Sequence, residues 1–308
     1  MRAFRLLFRV LVTFVGSVTA FSQNSVEDPD FDARIKNPAY TNSHPMIMLD
    51  RGHFNLGTAV GKSIDKYFAE IFATDGYAVV RNDGRFQASG LRSLRVLVVA
   101  VPSSSEYPAP GSALTHEEVE TVASWVDAGG ALLLIFDHYP LAAAVETLAN
   151  RFGVQVQLGA ASDDAHALDS PGSWAWTIEY TRKNGFLSRH PITEGRNQSE
   201  RLNRVVTFGG SSLSAHDAKD EFLKLSASAR NIQYADGAPS DAKALTAQGA
   251  AFHFGRGRVV MLADANTVAA QVAHFPNARP VRIGMGREGS DNLQLLLNIV
   301  HWLSGLFE

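Results

Sequence analysis

The sequence contains no cysteine, which excludes disulfide bonds, thiolate metal ligands, a cysteine nucleophile and a lipid anchor on an N-terminal cysteine. An excess of charge of one sign is also lacking, because the formal net charge is only −3. The chain therefore has no basic surface of the kind that binds nucleic acid or anionic membranes. Beyond the first twenty residues there is no apolar run of about 18 residues, so we expect no later segment to cross a membrane.

The first twenty residues have the pattern of a secretory signal. An apolar run at 6–15, interrupted by Arg9, follows two arginines and is followed by small residues. We expect cleavage after Ala20, with cleavage after Ser22 as the second choice. The alternative is an uncleaved membrane anchor, but the run is short for a bilayer span. The mature protein is thus expected to be periplasmic or secreted, without stable membrane insertion.

Apolar runs that alternate with helical patterns predict an α/β fold. Residues 45–49, 94–101 and 131–136 are apolar runs, interrupted only by Arg95, and such runs are typical of strands buried on both faces. Helical spacing of apolar residues follows at 58–72, 115–128 and 141–152, and Thr115 with Glu118 has the pattern of a capping box. Strands and helices in this order call for right-handed crossovers and a mostly parallel sheet covered on both faces.

The remaining segments complete this organisation. Residues 21–44 are polar and lack periodicity, which predicts a leader that lies on the surface or is mobile, with the domain extending over 45–308. Residues 159–201 are less regular and indicate an insertion or lid with short strands. Further strands are expected at 205–209 and 223–227, a hairpin at 249–262 whose second arm returns to the central sheet, and a final amphipathic helix at 291–306.

Polar side chains gather where the predicted strands end. In an open parallel sheet, ligands bind at the carboxyl ends of the strands, where loops converge and helices begin. We therefore expect one shared rim at which the following residues contact a ligand: Asp50, His53, Asn55, Asp137, His138, Asp264, Asn266 and Gln271. The loop at 102–105 could add hydroxyls and backbone amides.

Two chemistries fit such a rim. His53, Asp137 and His138 could bind zinc or a similar divalent metal that activates water, although their spacing matches no known metal motif. Alternatively, these three residues with Asp264 could act as general acid and base on a hydroxyl-rich ligand.

A purely structural role is the alternative for each residue. Asp137 could cap the helix that opens near Leu141, and Asp264 could cap a helix running through Val268. A single histidine at a strand end, such as His53, is often only a hydrogen-bonded structural group.

Nucleophilic catalysis by serine fits the sequence less well. A nucleophile elbow needs a pattern such as G-x-S-x-G, whereas the turn after 131–136 presents Asp137, His138 and Tyr139. The segment 209–212 places serines beside glycines, but a turn after a strand explains it as well.

Aromatic residues stand out in the predicted insertion. Trp174 and Trp176, with Tyr180 nearby, could stack on sugar rings by offering a flat apolar face to C–H groups. The alternative is that they form a small core of the insertion itself.

Several strings together resemble a known superfamily. They are LDRGHFN, WVDAGGALLLIFDHYP, LANRFGV, HPITEG, VTFGGSSL, GRGRVVMLADANTVAAQ and DNLQLLLNIVHWLSGL, which lie between residues 45 and 306. They are similar to the exported bacterial branch of the class I glutamine-amidotransferase-like superfamily, and to domains of gliding-motility, intraflagellar-transport and trehalose-utilisation-like proteins. The resemblance implies a flavodoxin-like sheet. Because catalytic members carry a cysteine where this chain has Asp137 and His138, the resemblance argues against amidotransferase activity.

The leading hypothesis is an exported binding or accessory protein that recognises a small polar ligand, such as a carbohydrate, through His53, Asp137, His138 and Asp264. One alternative is a hydrolase that acts on a saccharide or ester with the same residues, either assisted by a metal or by acid-base catalysis. Another is a scaffold that binds a protein partner in the cell envelope. The sequence leaves open whether there is any catalysis.

Overall fold

A computed structural model describes residues 24–168, 176–235, 238–274 and 279–308. Its strands are, in chain order, β1 (Asn24–Glu27), β2 (Met46–Asp50), β3 (Ala78–Asn82), β4 (Val96–Ala100), β5 (Ala131–Ile135), β6 (Gln155–Val156), β7 (Ala160–Ser162), β8 (Thr177–Thr181), β9 (Arg204–Phe208), β10 (Leu213–Ser214), β11 (Glu221–Lys224), β12 (Arg230–Ala235), β13 (Ala238–Lys243), β14 (Ala247–Phe254), β15 (Gly257–Leu262), β16 (Ala270–His274) and β17 (Val281–Gly284). Its α-helices are α1 (Ala59–Thr74), α2 (Ala88–Leu91), α3 (His116–Asp127), α4 (Leu141–Arg151), α5 (Pro191–Glu194) and α6 (Asn292–Leu303).

The central sheet has the flavodoxin-like order that the resemblance implies. Five parallel strands stand in the order β3-β2-β4-β5-β15, and the antiparallel strands β14, β10 and β6 extend the sheet on one side, with β11 also paired to β14. The chain first moves from β2 outward to β3 and then returns to the other side of β2. The switch in strand order therefore lies between β2 and β4, where such folds bind their ligands.

Helices cover both faces of this sheet, which confirms the predicted three-layer α/β architecture. On one face α1 and α6 bury residues such as Phe68 and Leu295 against the strands. On the other face α3 and α4 bury residues such as Val122 and Val145 against the alternate strand side chains. The strands β4 and β5 are buried at every position, as their continuous apolar runs predict.

Local sequence signals locate several of these elements. The Thr115 hydroxyl accepts a hydrogen bond from the Glu118 amide while the Glu118 carboxylate accepts from the Thr115 amide, so the predicted capping box is present. The predicted hairpin is formed by β14 and β15, and β15 returns to pair in parallel with β5. The predicted final helix corresponds to α6, which is shorter by a few residues at its C-terminal end.

The polar leader is more closely attached than its sequence predicts. We expect the fold to begin at Pro45, but β1 pairs antiparallel with β16. Asp28 and Ala33 are buried, and the Phe31 ring packs edge-on against Tyr67 with 5.2 Å between centroids. The periodicity that identifies a helix is absent here because the segment lies extended across the domain. The predicted signal segment 1–20 lies outside the described residues.

Candidate functional site at the carboxyl rim

The candidate residues do not form one pocket but fall into two groups. Asp50, His53 and Asn55 lie together at the end of β2. A second group lies at the ends of β5 and β15 and consists of Asp137, His138, Asp264 and Asn266. Gln271 lies apart from both, within β16.

His53 is held between two carboxylates in a histidine cluster with Asp50 and Glu118. Its Nδ1 lies 2.9 Å from Oδ2 of Asp50, and its Nε2 lies 3.0 Å from Oε1 of Glu118. Because ionised carboxylates only accept hydrogen bonds, this arrangement favours an imidazolium whose two ring nitrogens both donate. The ring is 5% exposed and stacks obliquely on Phe86, with 4.6 Å between centroids. No ring nitrogen of His53 is left to contact a ligand.

The charges in the histidine cluster stabilise one another. Burial opposes the charged ring, but the hydrogen bonds and charges of Asp50 and Glu118 raise the pKa of His53. Burial likewise works against ionised Glu118, yet donors from Thr115, Phe86 and His53 lower the pKa of Glu118 to about 2. Sequence reasoning assigned Glu118 only a helix-capping role. Its contact with His53, from 65 positions away, leaves no signal in the sequence.

The switch point between β2 and β4 is closed by hydrogen bonds. The Asn55 side chain accepts from the His53 amide and donates to the carbonyl oxygen of Ala100 at 2.9 Å. The Ser103 amide donates to the His53 carbonyl oxygen at 2.9 Å. The cavity beside Asp50 and Asn55 has a volume of only about 10 Å³, which holds about one water molecule. A ligand larger than water must therefore bind outside this crevice.

The carboxylate pair, Asp137 and Asp264, is buried and hydrogen-bonded at every oxygen. Asp137 Oδ1 accepts from the His138 amide at 2.8 Å, and Oδ2 accepts from the Ala265 amide and the Asn266 side chain, both at 3.3 Å. Asp264 Oδ1 accepts from the Asn266 amide at 3.0 Å. The other Asp264 oxygen accepts from the Thr267 hydroxyl at 2.9 Å and from the amide of Phe208.

These contacts decide between the capping alternatives. Asp264 caps the short 3-10 helix Ala265–Val268, as its structural alternative predicts. Asp137 does not cap α4, because the N-cap of that helix is Pro140, which has no side-chain hydrogen bond. Asp137 instead ties the end of β5 to the loop after β15.

Burial and proximity raise the pKa values of the pair. Burial, together with the negative charge of Asp137, raises the pKa of Asp264 to about 7. Burial also raises the pKa of Asp137, although the neighbouring His138 and backbone amides work in the opposite direction. Because burial penalises the charged forms, two unprotonated carboxylates here would be costly.

Two members of the second group reach the surface. The His138 side chain is 50% exposed, and its Nδ1 donates to the Tyr139 carbonyl oxygen at 2.8 Å. Asn266 is partly exposed and donates from its side chain to Asp137. The imidazole and the amide therefore stand at the surface above the buried carboxylate pair.

Gln271 and the glycine-flanked serines face inward. Gln271, a predicted rim residue, lies in the strand β16 and is 1% exposed, and within the described part of the chain its amide atoms have no hydrogen-bond partner. Ser211 and Ser212 are fully buried and donate to the backbone and side chain of Gln157, so they serve the turn that follows β9.

The residues suggested as metal ligands are not assembled. His53 belongs to the histidine cluster, whereas Asp137 and His138 belong to the second group. Within the described ranges, no group of three or more His, Asp or Glu side chains is placed to hold a metal ion. With both His53 nitrogens bound to carboxylates, this arrangement does not fit a catalytic metal centre.

Exposed aromatic side chains accompany the strand ends. Of the five large hydrophobic side chains that are strongly exposed in the described residues, four lie in loops at this rim. We call them the aromatic strip: Phe54, Tyr107, Tyr139 and Trp176, which are 49%, 79%, 36% and 37% exposed. Sequence reasoning singled out only Trp176. For the others, the available signal is a large aromatic in the polar loop that follows an apolar strand.

The insertion divides its own aromatics between surface and core. Tyr180 is fully buried and its hydroxyl donates to the Gln248 side chain at 2.7 Å, as the alternative of a small core predicts. Trp176 instead reaches the surface beside Gly209, where a Cβ would lie 3.4 Å from the indole ring. Trp174 lies outside the described residues.

Phe54 adopts a backbone conformation that disfavours an aromatic side chain. Phe54 and Val101 are the non-glycine residues with positive φ in the described part of the chain, at 53° and 43°. Both stand at the switch point, one after β2 and one after β4. The left-handed region costs a residue with a Cβ roughly 1–2 kcal/mol, and Phe54 recovers little of this by burial. Such strain tends to be kept where a side chain has a function.

No model of a protein family matches the sequence, and no curated protein matches it either. Among solved structures, the mmIFT52 N-terminal domain is similar, with a TM-score of 0.55, 13% identity, and coverage of 84% of this chain and 97% of that one. At this identity the likeness shows the fold alone, and to that extent it confirms the predicted resemblance.

Two ThuA-like proteins also match, with lower scores. The one from Bacteroides uniformis has a TM-score of 0.43 and 10% identity, covering 86% of this chain and 94% of that one. The one from Parabacteroides merdae has a TM-score of 0.40 and 12% identity, covering 85% of this chain and 90% of that one.

In the described residues no helix is long and apolar enough to span a membrane.

Proposed function

We propose that this protein is an exported carbohydrate-binding or accessory protein whose ligand site is the aromatic strip at the carboxyl rim. The observation that carries the proposal is the position of the exposed large hydrophobic side chains: among the described residues, four of five lie in loops at one edge of the sheet, and all four are aromatic. Single exposed apolar residues are ordinary, but a group of them at the edge where α/β folds bind ligands indicates a binding surface.

The chemistry of the strip suits a sugar. A pyranose ring has an apolar face of C–H groups and a rim of hydroxyls. Aromatic rings offer a flat apolar surface to the C–H face, and side chains that donate or accept hydrogen bonds suit the hydroxyls. His138 and Asn266 supply such groups beside Tyr139. The proposed site thus differs from the predicted one, because His53, Asp137 and Asp264 support the rim from below.

A hydrolase with the same residues is the rival proposal, and the geometry favours it less. Asp137 and Asp264 are 2% and 1% exposed, and all their oxygens already accept hydrogen bonds. A general acid or base must come within hydrogen-bond reach of the reacting group. For the carboxylate pair this would require the loops at 137–140 and 264–268 to separate.

Export and descent complete the proposal. The apolar run at 6–15 with its flanking arginines supports secretion, so we place the protein in the periplasm or outside the cell. The strings shared with the exported bacterial branch of the glutamine-amidotransferase-like superfamily support descent from that branch, with binding retained and the cysteine chemistry lost.

The test is binding of the full mature chain to immobilised soluble polysaccharides, with β-glucan, xylan, galactomannan and chitosan as probes. In affinity electrophoresis, the polysaccharide should retard the migration of Tyr139→Ala and of Trp176→Ala less than that of the wild type. Val26→Ala is the control, because Val26 is 44% exposed but lies on β1, which belongs to a separate sheet with β16 and β17. Retention of no polysaccharide, or retention unchanged by both aromatic variants, would overturn the proposal and favour a scaffold role.

A further inference from the structure

We infer that the ligand is an extended glycan chain that crosses the strand ends, and that it is not a free mono- or disaccharide enclosed in a pocket. This inference rests on the proposed function and adds the size and direction of the ligand. Its starting point is that the aromatic strip follows the order of neighbouring strands.

The loops that carry the strip follow strands that are neighbours in the sheet. Phe54 follows β2, Tyr107 lies in the loop after β4, and Tyr139 follows β5, which are adjacent in the sheet in that order. Trp176 contacts the turn at Gly209, which stands beside the end of β15. Three strand spacings separate the ends of β2 and β15, so the strip extends about 14 Å at ~4.8 Å per strand.

Loop contacts link the segments that carry the aromatics on the β2 side. A Cβ added at Gly57 would lie 2.5 Å from the Glu106 carbonyl oxygen, so the turn that follows Phe54 touches the residue before Tyr107. The loop that carries Tyr107 continues to Ala113, whose amide donates at 2.9 Å to Ala144 in α4. That helix begins two residues after Tyr139.

On the β15 side these segments are joined through the carboxylate pair. Asp137 accepts from Ala265 and Asn266, which ties the turn before Tyr139 to the loop after β15. Asp264 accepts from Phe208, and a Cβ at Gly210 would lie 2.3 Å from the Cβ of Asp264. The turn that carries the Trp176 contact is therefore held directly against the end of β15.

The alternative of an enclosed small sugar lacks space at the natural position. The crevice at the switch point has a volume of about 10 Å³ and is closed by the Asn55 and Ser103 hydrogen bonds. On such a surface each sugar ring of an oligosaccharide can contact one aromatic side chain. A monosaccharide makes only one such contact in total. The number of contacts, and with it the affinity, must then grow with chain length.

The experiment is calorimetric titration of the full mature chain with oligosaccharides of one to six units, from the polysaccharide that binds best in the panel. We expect affinity to increase about fivefold for each added unit up to about four, at roughly one stacking contact per unit, and then to level off. Phe54→Ala and Trp176→Ala, at opposite ends of the strip, should each weaken the hexasaccharide about fivefold. Val26→Ala should leave every titration unchanged.

The outcomes separate the inference from the proposed function. One outcome is that the monosaccharide or disaccharide already binds as tightly as the hexasaccharide, and that Phe54→Ala or Trp176→Ala leaves hexasaccharide binding unchanged. This outcome would overturn the inference of an extended ligand but would keep a carbohydrate site. Absence of binding at every length, or binding that survives loss of all four aromatics, would overturn both. Circular dichroism and unfolding of each variant establish that a loss of affinity is not a loss of fold.

Discussion

Replacing Phe54 by alanine and by glycine separates the backbone strain at this position from its contact with a ligand. Phe54 has φ 53° and ψ 25° and is 49% exposed. Both substitutions remove the ring and its partial burial, so the difference between their free energies of unfolding reports on the backbone conformation. Alanine keeps the left-handed penalty of roughly 1–2 kcal/mol, whereas glycine does not.

The expected order of stabilities is the reverse of the usual one. Glycine ordinarily destabilises by roughly 0.5–1 kcal/mol relative to alanine because it loses more backbone entropy on folding. Subtracting this from the relieved penalty leaves Phe54→Gly more stable than Phe54→Ala by about 1 kcal/mol. The measurement is the free energy of unfolding from urea titrations of both variants. Ala73→Gly, at an exposed position in α1, is the control and should lose about 1 kcal/mol.

Binding should not follow stability at this position. Both variants lack the ring, so both should bind the glycan about fivefold more weakly than the wild type, even though their stabilities differ. An alanine variant more stable than the glycine variant would refute the strain at Phe54. Wild-type affinity in both would show that Phe54 is outside the ligand site, and the strain there would then have no functional account.

Three further substitutions test the packing and charges beneath the strip. In Gly210→Ala the new Cβ would lie 2.2 Å from the Ala263 carbonyl oxygen, so we expect a loss of about 3 kcal/mol in urea unfolding; Gly90→Ala in α2 has open space and should not destabilise. Glu118→Gln breaks the histidine cluster and should cost about 3 kcal/mol at pH 7. Because the pKa of Glu118 is lowered from 4.5 to about 2, that contribution is present above pH 4.5 and is lost as the pH falls toward 2, so a pH-independent difference from wild type would contradict it. The pKa of Asp264 is shifted in the opposite direction, from 3.8 to about 7. The free energy of unfolding of the wild type should therefore fall as the pH rises through this interval, by at most about 1.4 kcal/mol per pH unit. Asp264→Asn should flatten the curve of unfolding free energy against pH there, and a curve unchanged from that of the exposed control Asp164→Asn would refute the assignment.

The elements of the fold could be predicted because their signals are local. A buried parallel strand needs apolar side chains on both faces, and β4 and β5 show this as uninterrupted runs. Thr115 and Glu118 mark the start of α3 because the capping box involves residues three positions apart. The strand β1 inside the predicted leader has no such local signal, since it is defined by its pairing with β16, which lies more than 200 residues away.

The candidate site was predicted only as far as the edge of the sheet on which it lies. Topology places Asp50, His53 and Asp137 at strand ends, but whether a side chain turns inward depends on partners that are distant in sequence. His53 turns inward because Glu118 reaches it from α3. Asp137 turns inward because Asn266 and Ala265 donate to it from the loop after β15. Neither partner can be paired with its acceptor from a single sequence.

Residue chemistry explains why the polar candidates support the rim while the aromatics line it. A buried carboxylate is stable only when its oxygens are satisfied, so Asp137 and Asp264 hold the loops in fixed positions as a condition of being buried at all. An exposed aromatic side chain contributes little to the stability of the fold. At Phe54 the left-handed backbone conformation even lowers that stability. If selection acted on stability alone, glycine or asparagine would suit position 54 better. The exposed aromatics are therefore not required for folding, and contact with a ligand would explain why they are present.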